Sequence, residues 1–190
     1  SALSAGITAS GSDAYLLHVT PTPSVSYIIR TEDFDCGIMI SASHNPYYDN
    51  GIKLMDSEGL KMSETVLKAL EEYMDGDESS IPLATGEDIG RTVDYILGRN
   101  RYIAYLSTLV RKSFKGYKVL LDVANGAAFS VAKNVFDILG ADVTVVNDRP
   151  NGYNINLDAG STHVDLLIDS MKTGDYDVAF AYDGDADRCL

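Results

Sequence analysis

Strands and helices alternate through the second half of this chain, and that alternation limits the available folds more than any other feature. Lys118-Val119-Leu120-Leu121-Asp122-Val123 reads as a buried strand, and Ala127 to Leu139 as a helix that ends at Gly140. Asp142 to Val146 is a second strand, 147–160 a long turn-rich loop, and Asp177 to Ala181 a last strand. Between them Thr162-His163-Val164-Asp165 has capping-box spacing and opens a helix running to Lys172. Parallel strands need crossovers, and helices of this length provide them, so the pattern predicts a mostly parallel, doubly wound α/β sheet.

The first half follows a looser version of the same plan. Residues 1–11 read as a helix stopped by Gly11, Ala14 to Val19 as a strand, and Ser24 to Thr31 as a helix after Pro21-Thr22-Pro23. Cys36 to Ser41 and Ile52 to Met55 are further strands, and Ser63 to Met74 carries apolar residues at helical spacing. The polar stretch Gly76 to Gly90 is the expected boundary, dividing the chain into units 1–90 and 91–190. Arg91 to Lys112 reads as one long helix with Val93, Ile96, Leu97, Ile103, Leu106 and Val110 on its apolar face. The 190 residues suffice for two small α/β domains.

Charge narrows the function classes. The net charge is −13, and Lys and Arg are scattered without a basic patch, which argues against nucleic-acid binding. No apolar run approaches the roughly 20 residues of a membrane span. The two cysteines, Cys36 and Cys189, lack metal-ligand spacing, so a reducing cytoplasm is the expected setting.

In open α/β sheets, ligands bind outside the carboxyl ends of the strands. Two segments there carry chemistry. Asp183-Gly184-Asp185-Ala186-Asp187-Arg188 follows the last strand, and three like charges within five residues call for a cation or full solvation. Oxygen-only ligands suit Mg²⁺ or Ca²⁺, and Mg²⁺ commonly shares its shell with phosphate. An EF-hand is excluded, because Arg188 stands where its glycine belongs. An acidic surface turn remains the alternative. Ser41-Ala42-Ser43-His44-Asn45-Pro46 follows the Cys36–Ser41 strand, and Pro46 forces a sharp turn that can expose Ser43. His44 is a candidate acid or base, and Lys53 a candidate phosphate partner. Gly-x-Ser-x-Gly is absent, so a hydrolase elbow is not matched. A capping serine beside a turn histidine is the competing reading.

Together the two loops resemble the phosphoserine and magnesium loops of the α-D-phosphohexomutase superfamily. Tyr47-Tyr48-Asp49-Asn50-Gly51-Ile52-Lys53, Asp122-Val123-Ala124-Asn125-Gly126-Ala127 and Gly160-Ser161-Thr162-His163 look most like the phosphoglucosamine mutases within it, with phosphoglucomutase/phosphomannomutase the near alternative. The resemblance implies two three-layer α/β/α domains with mixed, mostly parallel sheets. It implies a phosphoserine at Ser43, one Mg²⁺ held by Ser43, Asp183, Asp185 and Asp187, and catalytic roles for Ser43, His44, Lys53 and Arg188. The implied reaction interconverts glucosamine 6-phosphate and glucosamine 1-phosphate through a bound hexose 1,6-bisphosphate, a step of amino-sugar metabolism. The implied partner is a small sugar phosphate. A non-catalytic divalent-metal-binding module is the alternative of another class.

There are departures. The Gly-Thr-Asp-Gly-Val-Arg-Gly type opening is missing, as are the sugar-selecting loop of a third domain and the phosphate-binding loop of a fourth. Val164 stands where a proline is expected. The chain is therefore expected to be a truncated first domain plus a second, with little turnover alone.

Overall fold

The computed structural model describes residues 1–76 and 82–190. The elements run α1 (Ala2–Ala9), β1 (Ala14–Leu16), α2 (Thr22–Thr31), β2 (Gly37–Ser41), β3 (Gly51–Met55), α3 (Glu64–Met74), β4 (Thr92–Asp94), α4 (Ile96–Thr108), β5 (Lys118–Asp122), α5 (Ala132–Leu139), β6 (Asp142–Val146), α6 (Asp165–Thr173) and β7 (Val178–Ala181).

The second unit is a three-layer sandwich around β5. That strand lies between β6 and β7, parallel to both. Side chains alternate faces along a strand, so Val119 and Leu121 meet Ala132 and Phe136 from α5, while Leu120 meets Leu167 of α6 on the other face. Both faces are covered, which is why β5 is apolar almost without interruption. Gly140, at φ +91°, closes α5 in the left-handed region.

In the first unit β2 and β3 form an antiparallel pair, and α2 packs on it with Val25 and Ile29 against Met55 of β3. β1 pairs in parallel with β4. Among the described residues three of the four strand pairings are thus parallel, the mostly parallel arrangement expected, and the antiparallel pair forms a sheet of its own. No helix among the described residues is long and apolar enough to cross a membrane. Cys36 and Cys189 are both free and exposed.

Three expectations change. Arg91 to Lys112 is not one helix: Thr92–Asp94 is a strand and the helix starts at Ile96. Val93 fits a helical stripe, but it lies opposite Tyr15, and β1 gains its partner only if these residues extend. Asp94 Oδ1 then accepts the Ile96 amide at 3.3 Å, opening the helix one turn later. This pairing also carries the first unit's sheet past the expected division at residue 90. Second, Ala127 to Leu139 is broken into a 3-10 turn, Ala127–Ser130, followed by α5. The Ser130 hydroxyl bonds back to the Ala127 carbonyl at 3.0 Å and also reaches that of Val19. Third, the capping box at Thr162 does not form; Gly160–Thr162 is a 3-10 turn, and α6 begins at Asp165 without a side-chain cap. The turn is anchored by the Gly160 amide, which donates to Asp122 Oδ2 at 2.9 Å. Of the boundary stretch Gly76 to Gly90, residues 77–81 lie outside the described residues. The rest runs along α1, where Ala84 and Gly90 donate to the carbonyls of Ala9 and Thr8.

Candidate active site

The serine loop begins where β2 ends. The Ser43 amide donates to Ser41 Oγ at 2.8 Å, and the Asn45 amide to the Ala42 carbonyl at 2.8 Å. These bonds bend the chain tightly enough to place Ser43 at φ +52°, a region that non-glycine residues occupy only when their surroundings hold them there. Ser43 is half-buried and His44 exposed. The chain returns through β3, which carries Lys53.

The acidic loop leaves β7. Asp183 and Asp185 are buried, whereas Asp187 is partly open to solvent. Asp183 Oδ1 accepts the Arg188 amide at 3.1 Å and Oδ2 accepts Arg188 Nε at 2.9 Å. Asp185 Oδ2 accepts the Thr22 hydroxyl at 2.5 Å and is also paired with Lys53 Nζ, which reaches Asp187 Oδ2 at 3.1 Å. Burial pushes the Asp183 carboxyl up, with Asp187 and Asp185 adding to it and the Arg188 amide opposing. Burial also pushes Asp185 up, but the hydrogen bonds from Lys53 and Thr22 outweigh it and the carboxyl falls below the usual range. Lys53 moves up: burial disfavours its charge, and its bonds to Asp185 and Asp187 more than compensate.

Arg188 joins the two loops. Its Nη2 donates to Ser43 Oγ at 3.0 Å and to His44 Nδ1 at 2.6 Å, across 145 and 144 residues of chain. A guanidinium has only donors, so His44 Nδ1 accepts and the ring proton sits on Nε2. This is no serine–histidine dyad, because the hydroxyl and the imidazole both face the same arginine. Glycine allows the loops to close up. A Cβ on Gly184 would stand 2.4 Å from the Ser43 carbonyl oxygen, and one on Gly126 would stand 2.3 Å from that of Gly184.

The structure therefore brings Ser43, His44, Lys53, Arg188, Asp183, Asp185 and Asp187 to one place. His18 and His163 lie apart from it: His18 Nε2 pairs with Asp94 Oδ1 at 3.0 Å, and His163 is exposed after the Gly160–Thr162 turn. Sequence reasoning passed over Thr22, which grips Asp185, and Asn156, whose carboxamide contacts the serine loop. Thr22 stands between two prolines that mark a helix start without saying what the hydroxyl touches. Asn156 sits in a loop rich in asparagine and glycine, where one more asparagine carries no signal.

Comparison with known proteins sets this geometry in a family. The model described as phosphoglucomutase/phosphomannomutase, alpha/beta/alpha domain I, matches residues 1–80, and that for domain II matches residues 100–190. The chain belongs to the phosphoglucomutase/phosphomannomutase family. It is 61% identical over 188 residues to phosphoglucosamine mutase of Lachnospira eligens, covering 99% of this chain and 42% of that protein. The chain thus spans well under half the length of the curated relatives it matches. A solved phosphoglucomutase/phosphomannomutase family protein from Burkholderia thailandensis superimposes with a TM-score of 0.80 at 22% identity, over 99% of this chain and 42% of that one. N-acetylphosphoglucosamine mutase of Aspergillus fumigatus, solved with GlcNAc-6P and magnesium, has a TM-score of 0.50 at 17% identity, over 100% of this chain and 47% of that one. These two likenesses concern the fold.

The acidic loop in this family member has the donor set for a hard divalent cation. One carboxylate oxygen from each of Asp183, Asp185 and Asp187 lies within 4.8 Å of the others. Asp185 Oδ1 is buried and has no hydrogen-bond partner among the described residues. A buried carboxylate oxygen left unpaired is costly, and a cation is the partner that would satisfy it.

Proposed function

We propose that this chain carries the nucleophile and the metal loop of a phosphohexomutase that interconverts glucosamine 6-phosphate and glucosamine 1-phosphate. The observation that carries the reading is Arg188, which holds Ser43 Oγ and Asp183 Oδ2 at once and so ties the serine loop to the carboxylate loop. The 61% identity to a phosphoglucosamine mutase supports the glucosamine sugar over glucose or mannose.

In this proposal Ser43 Oγ carries a phosphoryl group in the resting protein. A phosphoserine brings about −1.5 to −2 charges. Asp183, Asp185 and Asp187, with an oxygen on Ser43, would hold one Mg²⁺, which when bound offsets phosphoryl charge and acts as a Lewis acid. The chain's own residues do the positioning. Arg188 Nη2 lies 3.0 Å from Ser43 Oγ and faces the charge on the group attached there. Lys53, paired with Asp185 and Asp187, is a second cation at the acidic loop that the phosphoryl group would face. A sugar hydroxyl attacks phosphorus, the bond from phosphorus to Ser43 Oγ breaks, and the hydroxyl proton ends on Ser43 Oγ, which is released as the free hydroxyl. The bound 1,6-bisphosphate then returns its other phosphate to Ser43. His44 would relay that proton as a base at Nδ1, once Arg188 Nη2 lets go of it, and return it as the imidazolium. Lys53 shares the proton handling.

The units 1–90 and 91–190 would each supply one loop, and the remaining length of the relatives would supply the rest of the sugar site. The 190 residues alone are expected to show little or no interconversion; robust turnover by them in a coupled sugar-phosphate assay refutes that division of labour. The two exposed thiols fit a cytoplasmic setting. The direct test is phosphopeptide mapping of the full-length protein before and after excess sugar monophosphate. Phosphate on Ser43 that the sugar removes is the expected result, and an active enzyme with phosphate elsewhere, or none, overturns the assignment.

A further inference from the structure

Asn156 is a buried side chain that the mechanism above does not use. It is 7% exposed and sits at φ +59° in the 147–160 loop. Its Nδ2 donates to the carbonyl of Ser43 at 2.8 Å and to that of Asn45 at 2.8 Å. A carboxamide nitrogen has two N–H groups, and both are spent on the serine loop, one on each side of His44.

What stands behind Asn156 is buried and hydrogen-bonded. Its own amide donates to the Ala124 carbonyl at 2.9 Å. The Ala124 amide donates to Asp122 Oδ1 at 2.9 Å, and Asn147 Nδ2 donates to the same oxygen at 3.0 Å. Asp122 ends β5, the most buried strand, and is itself fully buried. The serine loop's own hydrogen bonds, Ser43 to Ser41 and Asn45 to Ala42, are local, and Arg188 holds the Ser43 and His44 side chains rather than the loop's backbone over the acidic loop. Asn156 supplies that constraint from the other unit, and Gly184 lets the Ser43 carbonyl approach closely enough to be held.

We propose that Asn156 is a positioning residue for phosphoryl transfer, its carboxamide fixing Ser43 against the acidic loop by gripping the two carbonyls of the serine loop. The proposal rests on Ser43 being the phosphorylated nucleophile.

The test is single-turnover transfer from phosphorylated Ser43 to glucosamine 1-phosphate in the full-length protein, with the rate expressed per phosphorylated site, alongside kcat and KM. Asn156→Asp keeps the shape and turns a double donor into an acceptor facing two carbonyls. Misplacing a reacting group by about 1 Å can cost roughly 10²-fold, so the transfer rate and kcat are expected to fall by about that factor with KM little changed. A purely structural role would lower the melting temperature and the active fraction but leave the rate per phosphorylated site alone. Wild-type transfer rates in Asn156→Asp overturn the proposal. If that variant does not fold, Asn156→Ala removes both donors without adding charge and is judged by the same rate. A wild-type protein that never carries phosphate on Ser43 defeats the nucleophile reading itself, a result distinct from unchanged transfer in the variant.

Discussion

Ser43→Ala in the full-length protein is expected to lower sugar-phosphate interconversion by roughly 10⁴-fold or more, because removing a covalent nucleophile eliminates the route rather than weakening it. The substitution deletes one oxygen. That oxygen's hydrogen bond is to Arg188 Nη2, and the contacts that shape the loop involve backbone atoms: the Ser43 amide to Ser41 Oγ, and the carbonyls of Ser43 and Asn45 to Asn156. Alanine meets the same positive φ as serine, so the change in stability should stay within about 1 kcal/mol. Loss of activity with an unchanged melting curve is therefore the expected pair of results, read by a coupled assay and circular dichroism. Activity within tenfold of wild type would remove Ser43 from the mechanism.

The second large effect concerns folding. Leu121→Ala is expected to cost about 2–5 kcal/mol, the range for emptying a fully buried leucine site. Leu121 is 0% exposed in the central strand of the second unit, packed with Val119, Val123, Ala128 and Ala132. No loop can collapse into that space, because α5 covers it and both neighbouring strands are in register. Domains of this kind have about 5–15 kcal/mol in total, so the loss should be plain in the urea midpoint. Ile138→Ala is the control: its side chain is 61% exposed, and a shift of no more than about 0.5 kcal/mol is expected. A Leu121→Ala midpoint no lower than that of Ile138→Ala would mean the core lies elsewhere.

The two effects are linked through one strand. β5 packs the second unit, and Asp122 at its end accepts the amides of Ala124 and Gly160 and the side chain of Asn147. The loops that face Ser43 thus hang from the best-buried part of the molecule. A carboxylate at the end of an apolar run is visible in the sequence; that its two oxygens would hold the turn at Ala124 and both ends of the 147–160 loop is not.

By itself the sequence determined the local matters. Alternating apolar runs and helical stripes marked the strands and helices, since side-chain period follows directly from backbone geometry. Gly140 marked the end of α5, because few other residues accept its backbone angles. The residues near Pro46 and the Asp183–Asp187 carboxylates stood out through turn chemistry and charge repulsion, which operate over a few residues. Tertiary structure decided what depends on partners far along the chain. Val93 left its helical stripe because β1 needed a neighbour. Thr162 lost its capping role because it was taken into the Gly160–Thr162 turn and α6 began at Asp165. Arg188 came to Ser43 across 145 residues, and Asn156 to Ser43 across 113. Such contacts form only when two packed units bring their loops face to face, and a side chain's propensity carries no record of which distant atom it will meet.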